Sequence, residues 1–120
     1  MKKIDIKKVS ANQSGDYFQV YFDNDEETYH EDNIYFLIQW GSEFENEENE
    51  PYYIECNDQS YIGHFKGRKA TLGQNYFHLQ VMNEKELKEI EITFPDQDSE
   101  EYQEAERILK IIIPNIKIEK

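Results

Sequence analysis

Tyr17-Phe18-Gln19-Val20-Tyr21-Phe22 alternates strictly between two kinds of side chain. Phe18, Val20 and Phe22 fall on one side, and Tyr17, Gln19 and Tyr21 on the other. Successive side chains of a strand point to opposite faces, so this run predicts a half-buried strand whose wet face carries tyrosines. The same period of two recurs in both directions along the chain. Ile4 and Ile6 alternate with Asp5 and Lys7, and Ile34, Phe36, Ile38 and Trp40 share one face. Tyr52, Ile54 and Cys56 oppose Tyr53, Glu55 and Asn57. Phe77, Leu79 and Val81 oppose Tyr76, His78 and Gln80, while Ile90, Ile92 and Phe94 oppose Glu89, Glu91 and Thr93. Alternation of this kind belongs to antiparallel sheets with one solvated face, not to parallel sheets covered on both.

Turn chemistry separates the runs. Ser14-Gly15-Asp16 and Leu72-Gly73-Gln74-Asn75 read as short hairpin connections, and residues 23–32 and 41–51 as longer acidic loops. Gly63 and Gly67 mark Ile62–Leu72 as a bulged strand, and Asn83–Lys88 reads as a turn or one helical turn. Near the end, Pro95 stops a strand, Asp98 is the expected N-cap and Glu101 completes a capping-box pattern. Tyr102, Ala105, Ile108, Leu109 and Ile112 then form one apolar stripe, which Pro114 ends. Residues 114–120 read as a frayed tail or an edge strand. The expected fold is an α+β domain spanning residues 1–120: a mostly antiparallel sheet of six or seven strands with a C-terminal helix packed on one face.

The 120 residues include 26 Asp plus Glu against 13 Lys plus Arg, a formal net charge of −13. Such a charge opposes nucleic-acid binding by phosphate neutralisation. Nine Tyr, seven Phe and one Trp are too many aromatics for a disordered composition. No apolar run reaches the ~18 residues of a membrane span, and the basic start leads into no secretory signal. A lone Cys56 excludes an internal disulfide and fits a reducing, cytoplasmic setting.

The charge is unevenly placed. From Val9 to Phe65 the chain holds fourteen carboxylates and no Lys or Arg, so essentially the whole excess lies in one half. Such a segment is either a solvated acidic surface or one that attracts a basic partner by raising encounter rates and rejecting wrong partners. Tyr17, Tyr21, Tyr35, Tyr53 and Tyr76 point away from the Phe/Ile face. They support cross-strand packing, or lie under a second layer such as the helix, or form part of a binding surface.

Signals for chemistry are weak by comparison. His30, His64 and His78 lack metal-ligand spacing, and Cys56 falls on an inward-facing position. Asp23-Asn24-Asp25-Glu26-Glu27 resembles half of a calcium loop, but Thr28 and Ile34 stand where glycine and the closing Glu belong. No phosphate loop or nucleophile elbow occurs. The expectation is a protein without cofactor, metal or catalytic residues.

Tyr53-Ile54-Glu55-Cys56-Asn57-Asp58-Gln59-Ser60, the two strand-like stretches after it, Glu89-Ile90-Glu91-Ile92-Thr93-Phe94 and a helix with an acidic start resemble the immunity protein 10 family. The resemblance covers Asn33 to Ile113. It implies a small cytoplasmic α+β protein of bacterial polymorphic-toxin systems that binds and neutralises a cognate toxin domain. The charge pattern agrees, because toxin domains that attack nucleic acid carry basic, phosphate-binding surfaces. The expected contact residues are Glu43, Glu45, Glu47, Glu48 and Glu50 as an acidic loop, with Trp40, Tyr53 and Tyr76 as aromatic anchors. Trp40 reads equally as a core plug. The expected partner is a basic toxin domain, a nuclease among the classes that fit. Neither nucleic acid nor membrane is expected to bind, and edge strands leave a homodimer open. Two rivals remain: a general acidic adaptor for a basic protein, and a small enzyme using carboxylates with His64 or His78.

Overall fold

The computed structural model describes residues 1–24, 34–41, 52–82, 86–95 and 99–119. They form β1 (Lys2–Asp5), β2 (Lys8–Ser14), β3 (Tyr17–Asp23), β4 (Phe36–Gly41), β5 (Tyr52–Cys56), β6 (Gly63–Leu72), β7 (Tyr76–Met82), β8 (Leu87–Thr93), α1 (Glu100–Ile112) and β9 (Lys117–Ile118). The strand order is β1-β8-β7-β6-β5-β4-β3-β2, with β9 beside β6. All neighbouring pairs are antiparallel except β1 with β8 and β9 with β6.

One strand makes the corner of this sheet. The start of β6, Gly63–Phe65, pairs with β5, whereas Lys66–Leu72 pairs with β7. The register shifts between Gly67 and Lys69, so Arg68 is the extra residue of a bulge that bends and twists the strand. Gly67 is required there by close approach, since a Cβ on it would stand 1.5 Å from the Tyr52 hydroxyl. The bend is large. In a flat sheet β3 and β7, four strand spacings apart, would lie roughly 19 Å from each other. Instead Phe22 of β3 stacks on Phe77 of β7 with ring centroids 5.4 Å apart. The sheet therefore folds over into two halves, β2–β5 and β6–β8 with β1, joined by β6. Across the far side, Ile6 N–H donates to Thr93 O at 2.9 Å and Lys7 N–H to Asp23 O at 3.1 Å, so the two-residue link between β1 and β2 ties both rims together.

The inner faces and the helix share one core. Val20, Phe22, Phe36, Ile38 and Ile54 from one half meet Leu72, Phe77, Leu79, Ile90 and Ile92 from the other. α1 lies on the inner side of β2 and β3 and buries the stripe Tyr102, Ala105, Ile108, Leu109 and Ile112. Its N-terminal turn is anchored by the Tyr102 hydroxyl, which donates to Gly73 O at 3.1 Å. After the helix, β9 runs parallel to the end of β6, alongside Thr71 and Leu72.

The mostly antiparallel sheet with one helix matches the expectation, but nine strands form among the described residues where six or seven were expected. The extra ones are short or polar: the inner face of β2 carries Val9 and Ala11 as its only apolar residues, beside Gln13, and β9 has two residues. Ile34 does not join the core; it precedes β4 and is 43% exposed. The helix cap is Ser99, whose hydroxyl accepts from Tyr102 N–H at 3.1 Å, while Asp98 lies outside the described residues. With Tyr102 as the third residue after the cap, Glu101 is out of place for a capping box. Leu87 and Lys88 belong to β8 rather than to a turn. The bulged β6, the inward Cys56 and the edge strand in the tail are present as read. Among the described residues, no helix is long and apolar enough to cross a membrane.

Candidate functional site

Alternation turns one set of side chains outward on the β2–β5 half, and the register arranges them in rows. Tyr21 of β3 faces Leu37 of β4, which faces Glu55 of β5. One row along, Gln19 faces Gln39, Gln39 faces Tyr53, and Tyr53 faces His64 of β6. Tyr17 lies beyond Gln19 on β3. Tyr35 stands just before β4, fixed by its N–H donating to Asn57 Oδ1 at 2.9 Å. Four tyrosines thus share the outer face, and the helix occupies the opposite one. Leu37 is only 6% exposed although it lies outside the inner core, so the outer face has a small packed centre of its own.

Glu55 is the polar focus of this face. Its two carboxylate oxygens accept one hydrogen bond each, from Tyr35 Oη at 2.9 Å and from Tyr53 Oη at 2.8 Å. The two phenols reach it from opposite directions along the strands. Burial, then the hydrogen bond to Glu55, pushes the Tyr35 phenol up to about 12. For Tyr53 the hydrogen bond to Glu55 is the main cause of a raised pKa, with burial second. Both phenols therefore stay protonated and donating at neutral pH. The Tyr53 ring also lies 5.4 Å from the His64 ring, tilted by 60°. Gln19 Nε2 donates to Gln39 Oε1 at 2.8 Å, closing the polar pair at the centre of the adjacent row. β3, β4 and β5 supply no cation to this face, and no ion pair among the described residues involves Glu55.

The outer face of the other half is mixed in sign. His78 Nε2 lies 3.4 Å from Glu89, whose other oxygen accepts from Gln80 at 2.8 Å. The Gln80 and His78 hydrogen bonds together hold the Glu89 carboxyl below its usual range. Lys69 of β6 faces Gln80, and Lys117 of β9 faces Thr71. Tyr76 lies on this half and donates to Glu119, which holds the Tyr76 phenol up and the Glu119 carboxyl down.

Comparison of the chain with protein-family models, with curated proteins and with solved structures gives no match.

The expected contact residues are therefore dispersed. Tyr53 is on the outer face of β5, at the Glu55 cluster. Trp40 is on the inner face of β4, half-buried and stacked on Phe18 with centroids 6.0 Å apart, so it does not stand beside Tyr53. Tyr76 belongs to the other half of the sheet. Glu43, Glu45, Glu47, Glu48 and Glu50 lie outside the described residues, as do His30 and most of the calcium-like run. Their segment is tethered at Gly41 and Tyr52, one end of β4 and β5, whereas the acidic segment 25–33 is tethered at the opposite end, between β3 and β4. Asp58 is compensated: Lys2 Nζ approaches it at 3.5 Å, and Ser60 hydrogen bonds, ahead of Lys2, hold its carboxyl low. The residue that sequence reading missed is Glu55. Its spacing put it on the wet face with Tyr53, but only the β4–β5 register brings Tyr35 to the same carboxylate.

Proposed function

We propose that this is a non-catalytic immunity protein, which binds and neutralises a cognate toxin domain of basic character through an acidic, tyrosine-bearing surface. The observation that carries this reading is the outer face of β3–β5: four tyrosines around an unneutralised Glu55, with no cation from these strands and, among the described residues, no helix over them. Tyrosine gives large contact area at low entropic cost and is enriched where interface energy concentrates. Carboxylates without local counter-charges steer a basic partner and reject acidic ones. The segments that join these strands in sequence, residues 25–33 and 42–51, add further carboxylates and no Lys or Arg. The resemblance to immunity proteins selects a toxin among basic partners, and inhibition needs no chemistry beyond tight occupancy.

The test starts from the adjacent reading frame, which this reading expects to encode the toxin; a neighbour that encodes none counts against it. Coexpression of this chain is expected to restore growth of cells producing that toxin, and the purified pair is expected to associate. Changing Glu43, Glu45, Glu47, Glu48 and Glu50 to Gln should slow association by at least about tenfold at low salt and flatten its salt dependence. An unchanged rate removes that segment from the contact. A chain that binds basic proteins yet leaves cells unprotected is an adaptor, not an immunity protein.

A further inference from the structure

Glu55 is a carboxylate held in place by neutral groups. Each oxygen accepts one phenolic hydrogen bond, at 2.9 Å from Tyr35 and 2.8 Å from Tyr53. A carboxylate offers about four lone-pair sites, so roughly half of its acceptor capacity is left after these two bonds. Phenol donors orient the group without cancelling its charge. Tyr35 and Tyr53 stand in the rows on either side of Glu55, Tyr21 and Leu37 continue its row, and the four side chains make an aromatic and apolar surround. β3, β4 and β5 supply no ammonium or guanidinium group, the chain has none from Val9 to Phe65, and the cations of β6 begin at Lys66, just past the three residues that pair with β5.

We infer that Glu55, flanked by Tyr35 and Tyr53, is a receptor for a single arginine side chain presented by a basic protein partner. The inference rests on the proposed acidic-surface function and deepens it by naming where the key contact falls. Charge complementarity selects the occupant. A second copy of this chain carries the same net charge of −13 and is repelled, and nucleic acid has the wrong sign. Arginine fits better than lysine for two reasons. Its planar guanidinium forks onto the two oxygens of a carboxylate whose orientation is already fixed, and it stacks on tyrosine rings while donating. Holding the carboxylate in advance also lowers the ordering cost of binding.

The test is a titration of the isotopically labelled full chain with an oligoarginine peptide, followed by nuclear magnetic resonance, with oligolysine of equal length as the control. The expected result is saturable shifts at the rings of Tyr35 and Tyr53 and at the Glu55 side chain, with weaker binding of oligolysine. Glu55→Gln keeps an oxygen for a phenol, and its amide spectrum reports whether the fold is intact. It should weaken the peptide about tenfold, and Tyr35→Phe or Tyr53→Phe should weaken it severalfold. Unchanged affinity in a folded Glu55→Gln protein, or equal affinity for oligolysine, overturns the inference. If the shifts then map to residues 42–51, the acidic-surface reading stands without this site. If neither peptide binds anywhere at low salt, both fall.

Discussion

Tyr52 carries its hydroxyl into the corner of the fold, against Gly67, and is 4% exposed. Burial pushes its phenol up to about 12. The folded state therefore favours the protonated form over what an unfolded tyrosine, titrating near 10, requires. The sign follows directly: the stabilisation is complete below about pH 10 and is lost as the pH rises through about 12, a difference of roughly 2–3 kcal/mol for this group. Urea unfolding from about pH 9 to about pH 12 should show a steep alkaline loss of stability, and Tyr52→Phe should remove about that much of it. Sequence alternation placed Tyr52 inward and Tyr53 outward, so the sides were legible from residue types alone. The pairing of two phenols on one carboxylate was not, because it depends on which residue of β4 meets which residue of β5. Trp40 shows the converse limit: its parity assigns it to the inner face, but its position before an acidic segment suggested a contact role.

Among the elements, β6 does most to shape the molecule. Its two glycines announced a bulge, and a bulge is present, although the sequence did not say that β6 changes partner there. Gly67→Ala would set a Cβ 1.5 Å from Tyr52 Oη and 2.5 Å from Cζ, so the buried ring or the strand must move. Overpacking of this kind costs ~1–3 kcal/mol. The expected result is a lower urea midpoint with an unchanged slope, since the loss is of fit and not of buried area. The helix was the most legible element. A stripe at three- and four-residue spacing survives a one-residue error in the cap, because the buried face depends on periodicity and the cap on one local hydrogen bond. β2 was the least legible, since Asn12, Gln13 and Ser14 look like loop and are held in the sheet by pairing with Gln19, Phe18 and Tyr17.

At the scale of the whole molecule, the folding-over of the sheet was not readable, because a period of two gives the face of each strand and not the curvature of the set. Phe22 is where that curvature is enforced: it stacks on Phe77 at 5.4 Å and also packs against Phe36 and Phe94, with ring centroids 6.0 and 6.1 Å away. Removing it opens a cavity between both halves at once. Phe22→Ala should cost ~3–5 kcal/mol. Since the halves share one core, Trp40 fluorescence and far-ultraviolet circular dichroism should lose signal in one coincident transition in the parent and the variant alike. Separate transitions would mean that β2–β5 folds as a unit of its own.

The placement of positive charge has a practical corollary. Every primary amine of the chain lies within residues 1–8 or from Lys66 onward. Amine-reactive dyes and sensor-chip coupling therefore modify no residue of β3, β4 or β5, since these strands, Glu55 and Tyr53 included, carry no lysine. Trypsin, for the same reason, cannot cut between Lys8 and Lys66, and releases the four tyrosines and Glu55 together in one long peptide.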